Sequence, residues 1–357
     1  MIRLKFLDKN GNLISEPTGN EYFRSVISFL EEFRNSEEII VNTSGSTGKP
    51  KEISLKKNQI IASVNQTQKA FDLTANDIAV CSLPINYIAG KLMLLRAEIL
   101  GMRAIIIEPS ANPLSGFSES TKLFFEENSA KFFFAFVPLQ LQNISENKVN
   151  LTLLSSAKVI LCGGAALSKD LATKLAKNNL RVYETYGMTE TVTHVAIRQV
   201  SENTGPLPFA FLNGIQHELN EQNCLRLKGL TTNNQWVQTN DIVSYVGENS
   251  FLLMGRLDNV INSGGVKLHP ELIETKISEI FTRQKLTNAF FCFGKTDEFL
   301  GKKLVLFVEG NISIDLKSFL AAELPKFEVP KEIIEVEQFV RTESNKINRS
   351  KTAQSIL

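Results

Sequence analysis

Six short apolar runs, rich in β-branched and aromatic residues, constrain this chain more than anything else in it. They are EIIVNTS (38–44), IAVCSLP (78–84), RAIIIEP (103–109), KFFFAFVP (131–138), KVILCGG (158–164) and RVYETYG (181–187). Each is too short for an ordinary helix and too apolar for a surface loop, so each reads as a strand. Longer amphipathic stretches, such as KLMLLRAEILG (91–101) and LSKDLATKLAKNNL (167–180), lie between several of them. Strand, helix and strand at this spacing predict layered α/β structure on a mainly parallel sheet.

From about residue 205 the pattern changes to hairpin-like segments, HELNEQNCLRLKGL and WVQTNDIVSYVGENSFLLMG, broken by Asn, Gly and Gln. They predict a small antiparallel sheet or a β-barrel-like portion. After GRLDN a new unit begins, in which HPELIETKISEIFTRQ and IDLKSFLAAELP have helical period while NAFFCFGK and KKLVLFVEG read as strands. A chain of 357 residues is too long for one small core. Residues 1–256 are therefore assigned to a large N-terminal α/β domain and 257–357 to a small α+β C-terminal domain.

Lys plus Arg total 39 against 38 Asp plus Glu, so the chain lacks the basic field of a dedicated nucleic-acid binder. Cys81, Cys162, Cys224 and Cys292 are far apart and form no CxxC pair, which predicts free, mostly buried thiols in a reducing cytoplasm. The start MIRLKFLDKNGNL has no apolar core of a signal peptide, and no apolar run approaches the roughly 20 residues that span a bilayer. A cytoplasmic protein without membrane insertion is expected.

The stretch IIVNTSGSTGKPKEISL (39–55) crowds hydroxyls and glycines ahead of Lys49. A P-loop needs GxxxxGK followed at once by Ser or Thr. Here Thr43 stands where the first Gly belongs, and Pro50 follows Lys49. Proline has a fixed φ and no N–H, so it cannot replace that hydroxyl residue. Two readings remain on composition alone: a loop whose N–H groups, hydroxyls and lysine converge on an anion, or a flexible Ser/Gly turn.

The full string TSGSTGKPK resembles the phosphate loop of the adenylate-forming superfamily, which includes acyl-CoA synthetases, luciferases and peptide-synthetase adenylation domains. The resemblance implies that Thr43, Ser44, Gly45, Ser46, Thr47, Gly48 and Lys49 hold the β- and γ-phosphates of ATP. Further motifs follow in the family's order, from residue 39 to the end of the chain. ETYGMTET (184–191) resembles the aromatic-Gly-x-Thr-Glu segment. It implies Tyr186 and Gly187 at adenine, Thr189 at the phosphate or acyl-phosphate and Glu190 as a magnesium ligand. A carboxylate suits a hard cation that bridges phosphates. LCGGAAL (161–167) resembles the strand-end segment that implies Gly163, Gly164 and Ala165 beside adenine. WVQTNDIV (236–243) resembles the Thr-Gly-Asp motif, so Asp241 is implied at the ribose hydroxyls. Asn240 replaces the usual Gly, and Asn tolerates left-handed backbone angles better than other side chains.

GRLDNVINSGGVKLHPELIE (255–274) resembles the family's hinge. It implies Arg256 at ribose or phosphate, Asp258 as hinge, and Gly264 and Gly265 on the nucleotide or pantetheine side after rotation of the C-terminal domain. RTESNKINRSK (341–351) offers Lys346 as the adenylation lysine, with Asn345 where Gly is usual. Such a lysine stabilises charge as carboxylate attacks the α-phosphate. The resemblance thus implies a magnesium-dependent ligase with ATP, coenzyme A and a small carboxylic acid as substrates.

SLPINYIAGKLMLLRAEILGM (82–102) and YGMTETVTHVAIR (186–198) resemble the o-succinylbenzoate–CoA ligases of menaquinone biosynthesis. Asn86–Tyr87 replaces an aromatic-His pair there. Tyr87, Gly90, Lys91 and His194 are the implied acyl-pocket residues. Such an acid carries a second carboxylate that wants a cation, and Lys91, Arg96, His194 and Arg198 are the candidates. The phosphate loop begins closer to the start of the chain than in typical members, so a pared-down first subdomain or help from another subunit, a homo-oligomer included, is expected. Other readings stay open: an adenylating ligase for another aryl or aliphatic acid delivered to CoA or a carrier protein, or a non-catalytic nucleotide-binding relative.

Overall fold

The structure is a computed structural model and describes residues 3–17, 19–42, 51–155, 157–202, 207–341 and 347–357. By internal contacts the chain divides into two compact units. The first runs to His217 and takes in Leu227–Val237; the second comprises Glu218–Arg226 and Gln238–Leu357.

The first unit begins with β1 (Arg3–Leu7), β2 (Leu13–Ile14) and helix α1 (Glu21–Asn35), which Asn20 caps by accepting the Phe23 N–H. There follow β3 (Glu38–Asn42), β4 (Glu52–Lys56), α2 (Lys57–Phe71), β5 (Ile78–Cys81), α3 (Ile88–Leu100) and β6 (Arg103–Ile106). Next come α4 (Glu119–Glu127), β7 (Phe132–Phe136), α5 (Pro138–Ser145), α6 (Lys148–Ser155), β8 (Val159–Cys162) and α7 (Lys169–Lys177). The unit ends with β9 (Val182–Gly187), β10 (His194–Gln199) and β11 (Phe209–Phe211). Strands β1, β6, β5, β7, β8 and β9 are parallel neighbours in that order, and β10 and β11 extend the sheet antiparallel.

Every residue of β5, β7 and β8 is buried, as expected of parallel strands covered on both faces. Successive side chains of a strand point to opposite faces, and here they feed two cores. Ala79, Cys81, Phe133, Ala135, Val159 and Leu161 pack with α1, α2 and α3. Ile78, Val80, Phe132, Phe134, Phe136, Ile160 and Cys162 pack with α4 to α7. This explains the aromatic run of β7: Phe132 stacks on Phe125 of α4 at 4.5 Å, and Phe134 on Phe136 at 5.5 Å. All four cysteines are free and buried.

The first apolar run behaves differently from the other five. Among the described residues β3 pairs only with β4, antiparallel, from Glu38↔Lys56 to Asn42↔Glu52, as a separate two-stranded ribbon. Strand β4 was not evident from EISLK, whose side chains are mostly exposed.

In the second unit the predicted hairpin region forms β12 (Gln216–Leu219), β13 (Cys224–Lys228), β14 (Val237–Tyr245) and β15 (Ser250–Arg256), side by side in that order. Then come β16 (Ile261–Ser263), β17 (Val266–Leu268), α8 (Pro270–Arg283), β18 (Phe290–Asp297), β19 (Gly301–Glu309), α9 (Leu316–Glu323), β20 (Glu332–Val336) and α10 (Arg349–Gln354). Strand β19 alternates like those above. Leu304, Leu306 and Val308 face α8 and α9, while Val305 and Phe307 pack with Phe291, Phe339 and Ala353. No helix among the described residues is long and apolar enough to cross a membrane.

Candidate active site

Open α/β sheets bind ligands beyond the carboxyl ends of their parallel strands. Two of the sequence-assigned segments lie there. Gly163 follows β8, and a Cβ on it would sit 2.6 Å from the Thr185 hydroxyl of β9, which itself donates to the Cys162 carbonyl. Gly164 adopts φ 88°, open to glycine and strained for other residues. Ala165 is exposed. On β9, Tyr186 is half-buried with its ring 5.9 Å from that of Phe209.

Gly187 closes β9 where β10 crosses tightest: a Cβ there would lie 2.2 Å from the Thr193 carbonyl oxygen and 2.6 Å from the His194 Cα. Both are backbone atoms that cannot swing aside. Gly187→Ala is expected to cost about 1–3 kcal/mol or more by overpacking, read as a lowered urea midpoint at unchanged slope.

The residues after Gly187 form a short 3-10 turn, Thr189–Thr191. Thr189 is half-exposed and Glu190 exposed, while Thr191 is fully buried. The Thr191 hydroxyl accepts the Met188 N–H at 3.1 Å and lies 2.9 Å and 2.8 Å from the Met188 and Thr193 carbonyls. Val192, buried in the core beneath, is held at φ 67° and ψ −57°. That is a γ-turn conformation rarely taken by a β-branched residue. Strain of this kind costs about 1–3 kcal/mol and persists only where the surroundings impose it. Here the Thr191 bonds and the core around Val192 impose it, and they present Thr189 and Glu190 outward.

The acyl-pocket candidates separate. Gly90 packs its first helical turn on the Leu83–Pro84 backbone, whose atoms would lie 2.3 to 2.7 Å from a Cβ. Tyr87, half-buried, is the N-cap residue of α3. Lys91 sets its ammonium 4.3 Å from the Phe29 ring centre, where burial lowers its pKa against the charge of Glu32. Arg198 is bound to Glu184 at 2.7 Å.

Arg96 is different. It is 2% exposed, and its Nε and one terminal nitrogen have no hydrogen-bond partner among the described residues. The other terminal nitrogen lies 3.7 Å from the Met93 sulfur, and the guanidinium carbon 5.9 Å from the centre of the Phe133 ring. Burial pushes its pKa down to about 9, so it stays charged at neutral pH. His194 lies close enough to feel that charge, and its Nε2 is 3.3 Å from the Thr67 hydroxyl.

Burial, and then the Arg96 charge, hold His194 well below its ordinary pKa of 6.5. The unfolded chain therefore takes up a proton that the folded chain refuses. Stability is full above the ordinary value and falls as pH drops below it. The slope for one group is limited to about 1.4 kcal/mol per pH unit. Urea unfolding between pH 7 and 5 should show this loss, and His194→Gln should flatten the curve over that window.

In the second unit, Asp241 of β14 stands opposite Arg256 of β15 in the strand register. The guanidinium reaches Asp241 at 3.4 Å and Asp258 at 3.0 Å. Burial alone would lower the Arg256 pKa, but its bond to Asp258 and the charges of Asp241, Asp258 and Glu271 outweigh that and raise it. Asn240 needs no left-handed angle: it lies within β14 at ordinary φ, and its amide donates to Asp258 at 3.0 Å. The left-handed angle is thus not used, and the departure from Gly supplies a bond to Asp258 instead. Gly264 and Gly265, at φ 58° and 85°, form the two-residue turn of the β16–β17 hairpin, where both positions require positive φ.

Thr43, Ser44, Gly45, Ser46, Thr47, Gly48, Lys49 and Lys346 lie outside the described residues. Sequence reasoning missed Glu184, Thr185, Phe209 and Thr67. Glu184 was within reach, because it shares a strand face with Tyr186 two positions on.

A parallel sheet covered on both faces, glycine-bearing at its strand ends and followed by an α+β unit, is the architecture of the adenylate-forming enzymes. Residues 35–210 match the family described as AMP-binding enzyme. A solved structure from Dyadobacter fermentans, an acyl-CoA synthetase (AMP-forming)/AMP-acid ligase II-like protein, is 37% identical over 96% of both chains, with a TM-score of 0.62. The chain belongs to this AMP-binding enzyme family. The 2-succinylbenzoate–CoA ligase of Bacillus cytotoxicus is 26% identical over 91% of this chain and 71% of its own. The O-succinylbenzoate coenzyme A synthetase of Bacillus subtilis, solved with ATP and magnesium ion, has a TM-score of 0.72 at 20% identity, covering 88% of this chain and 69% of that one.

Proposed function

We propose that this protein is an ATP-dependent, AMP-forming ligase that activates o-succinylbenzoate and transfers the acyl group to coenzyme A. The observation that carries the substrate is Arg96. A charged guanidinium buried without a hydrogen-bond partner at two of its nitrogens is costly, and an anionic ligand group would offset that cost. A dicarboxylic acid supplies one anion to react and a second to be held. Of the four cations considered, Lys91 is engaged at Phe29, Arg198 is paired with Glu184, and His194 is kept neutral. The names of the Bacillus relatives support the same acid.

In the first half-reaction a carboxylate oxygen of the acid attacks the α-phosphorus of ATP. The bond to the bridging oxygen breaks, and pyrophosphate leaves with its electron pair. In the second, the coenzyme A thiolate attacks the acyl carbon and AMP departs. Positioning and charge stabilisation are what the protein contributes. We assign residues 43–49 to the β- and γ-phosphates, Gly163 to Ala165, Tyr186 and Gly187 to adenine, Asp241 and Arg256 to the ribose side, and Lys346 to the α-phosphate. Thr189 is assigned to the acyl-phosphate, Tyr87 and Gly90 to the acyl pocket, and Gly264 and Gly265 to the coenzyme A side.

Magnesium that arrives with ATP needs few protein ligands. The exposed carboxylate of Glu190 suits it, and the metal would neutralise phosphate charge. We divide the chain into domains 1–256 and 257–357 and place the functional hinge at Asp258, at the start of the second.

Pyrophosphate release measured over a panel of carboxylic acids, with and without coenzyme A, tests the proposal. Release with o-succinylbenzoate, and acyl-CoA formation only when CoA is added, is expected. Release with a different acid alone would overturn the substrate.

A further inference from the structure

Glu184 and Arg198 stand directly opposite each other in the β9–β10 register. The Glu184 side chain is 9% exposed and that of Arg198 24%, and the Arg198 Nε donates to one Glu184 oxygen at 2.7 Å. A buried ion pair is by itself weak support for stability, since a well-packed apolar pair often does as well. What distinguishes this pair is what else it holds. The second Glu184 oxygen accepts the Leu167 N–H at 3.0 Å, at the end of the Gly163–Ala165 loop. A terminal nitrogen of Arg198 donates to the Leu207 carbonyl at 3.2 Å. The guanidinium also lies 4.4 Å from the centre of the Phe209 ring, which in turn is 5.9 Å from the ring of Tyr186.

One ion pair therefore ties together the loop after β8, strand β9, strand β10 and the segment that carries Phe209. Glu184 and Tyr186 share a face of β9, so the pair sets the position of that face relative to the loop after β8. We propose that Glu184 and Arg198 are positioning residues for the adenine of ATP: they fix the Tyr186 ring, through Phe209, at a set distance from the glycine loop. This rests on the assignment of Tyr186 and Gly163–Ala165 to adenine. Planar, bidentate-capable arginine suits the task, because one side chain bonds a carboxylate and a carbonyl while stacking on a ring. Lysine, a point charge, does not.

The test is calorimetric titration of AMP into the wild-type protein and into Glu184→Gln, Arg198→Lys and Phe209→Leu, with steady-state KM values for ATP and for the carboxylic acid. Glu184→Gln keeps an acceptor for Leu167 but loses the charge. Phe209→Leu leaves the ion pair whole and removes only the ring, so it serves if a charge variant fails to fold. Each variant should weaken AMP binding and raise the KM for ATP by about tenfold, with the KM for the acid within about twofold of wild type. Arg198→Lys should not restore binding.

Unchanged AMP affinity in the variants would overturn the proposal. So would AMP and acid binding that weaken together in step with a lowered melting temperature, since that marks a purely structural pair. A wild-type protein that binds neither ATP nor AMP would instead overturn the adenine assignment itself, and the proposal with it.

Discussion

Arg96→Met is expected to cut kcat/KM for o-succinylbenzoate by about 10²- to 10⁴-fold, the ~3–5 kcal/mol lost when one partner of a buried charge pair is removed. The same change should stabilise the ligand-free protein. Arg96 is buried beside Met93 and Phe133 with no anionic partner among the described residues, and replacing buried charge by a well-packed apolar chain is often stabilising by about 1–4 kcal/mol. Methionine matches arginine's unbranched stem and fills irregular space. Activity and stability should therefore move in opposite directions. Thermal unfolding without ligand and pyrophosphate release with it measure the two. An analogue that keeps only the reacting carboxylate provides the control: the variant should process it at least as well as wild type. Parallel loss of stability and of activity on both acids would make Arg96 a packing residue and remove the main support for a dicarboxylate.

Lys346→Ala should abolish the first half-reaction selectively. Loss of one preorganised cation at a developing charge costs about 10²- to 10³-fold in rate. Pyrophosphate release should fall by that factor, while coenzyme A transfer from a supplied acyl-adenylate should survive largely intact. Equal loss of both steps would contradict the assigned role. Single-turnover measurements with each starting material separate the two outcomes. Near this residue, Asn348 caps α10 and Arg349 bonds to Glu274 at 2.7 Å, which ties the C-terminal end of the chain to α8.

Much of the fold was legible before any coordinates. The runs at 78–84, 103–109, 131–138, 158–164 and 181–187 contain β5 to β9, because strands buried on both faces need uninterrupted apolar residues and amphipathic helices must separate them. The helices at 91–101 and 167–180 contain most of α3 and α7 for the same reason of period. The run at 38–44 misled in part: its apolar residues alternate buried and exposed, which suits a two-stranded ribbon rather than a sheet interior. Asn240 was misjudged too: its tolerance of left-handed angles is not used, because it lies within the strand β14 that pairs with β15.

By itself the sequence determined the order of motifs and the alternation of strands and helices, because both are properties of residues near one another along the chain. That was enough to assign the family. It could not rank the four cations, because their partners come from elsewhere in the chain. Arg198 meets Glu184 fourteen positions away. Lys91 lies over Phe29 of α1. Thr67 reaches His194 across 127 positions. Only the tertiary packing left Arg96 charged, buried and unbonded at two of its nitrogens, since burial and the lack of a partner depend on every element that closes around a side chain.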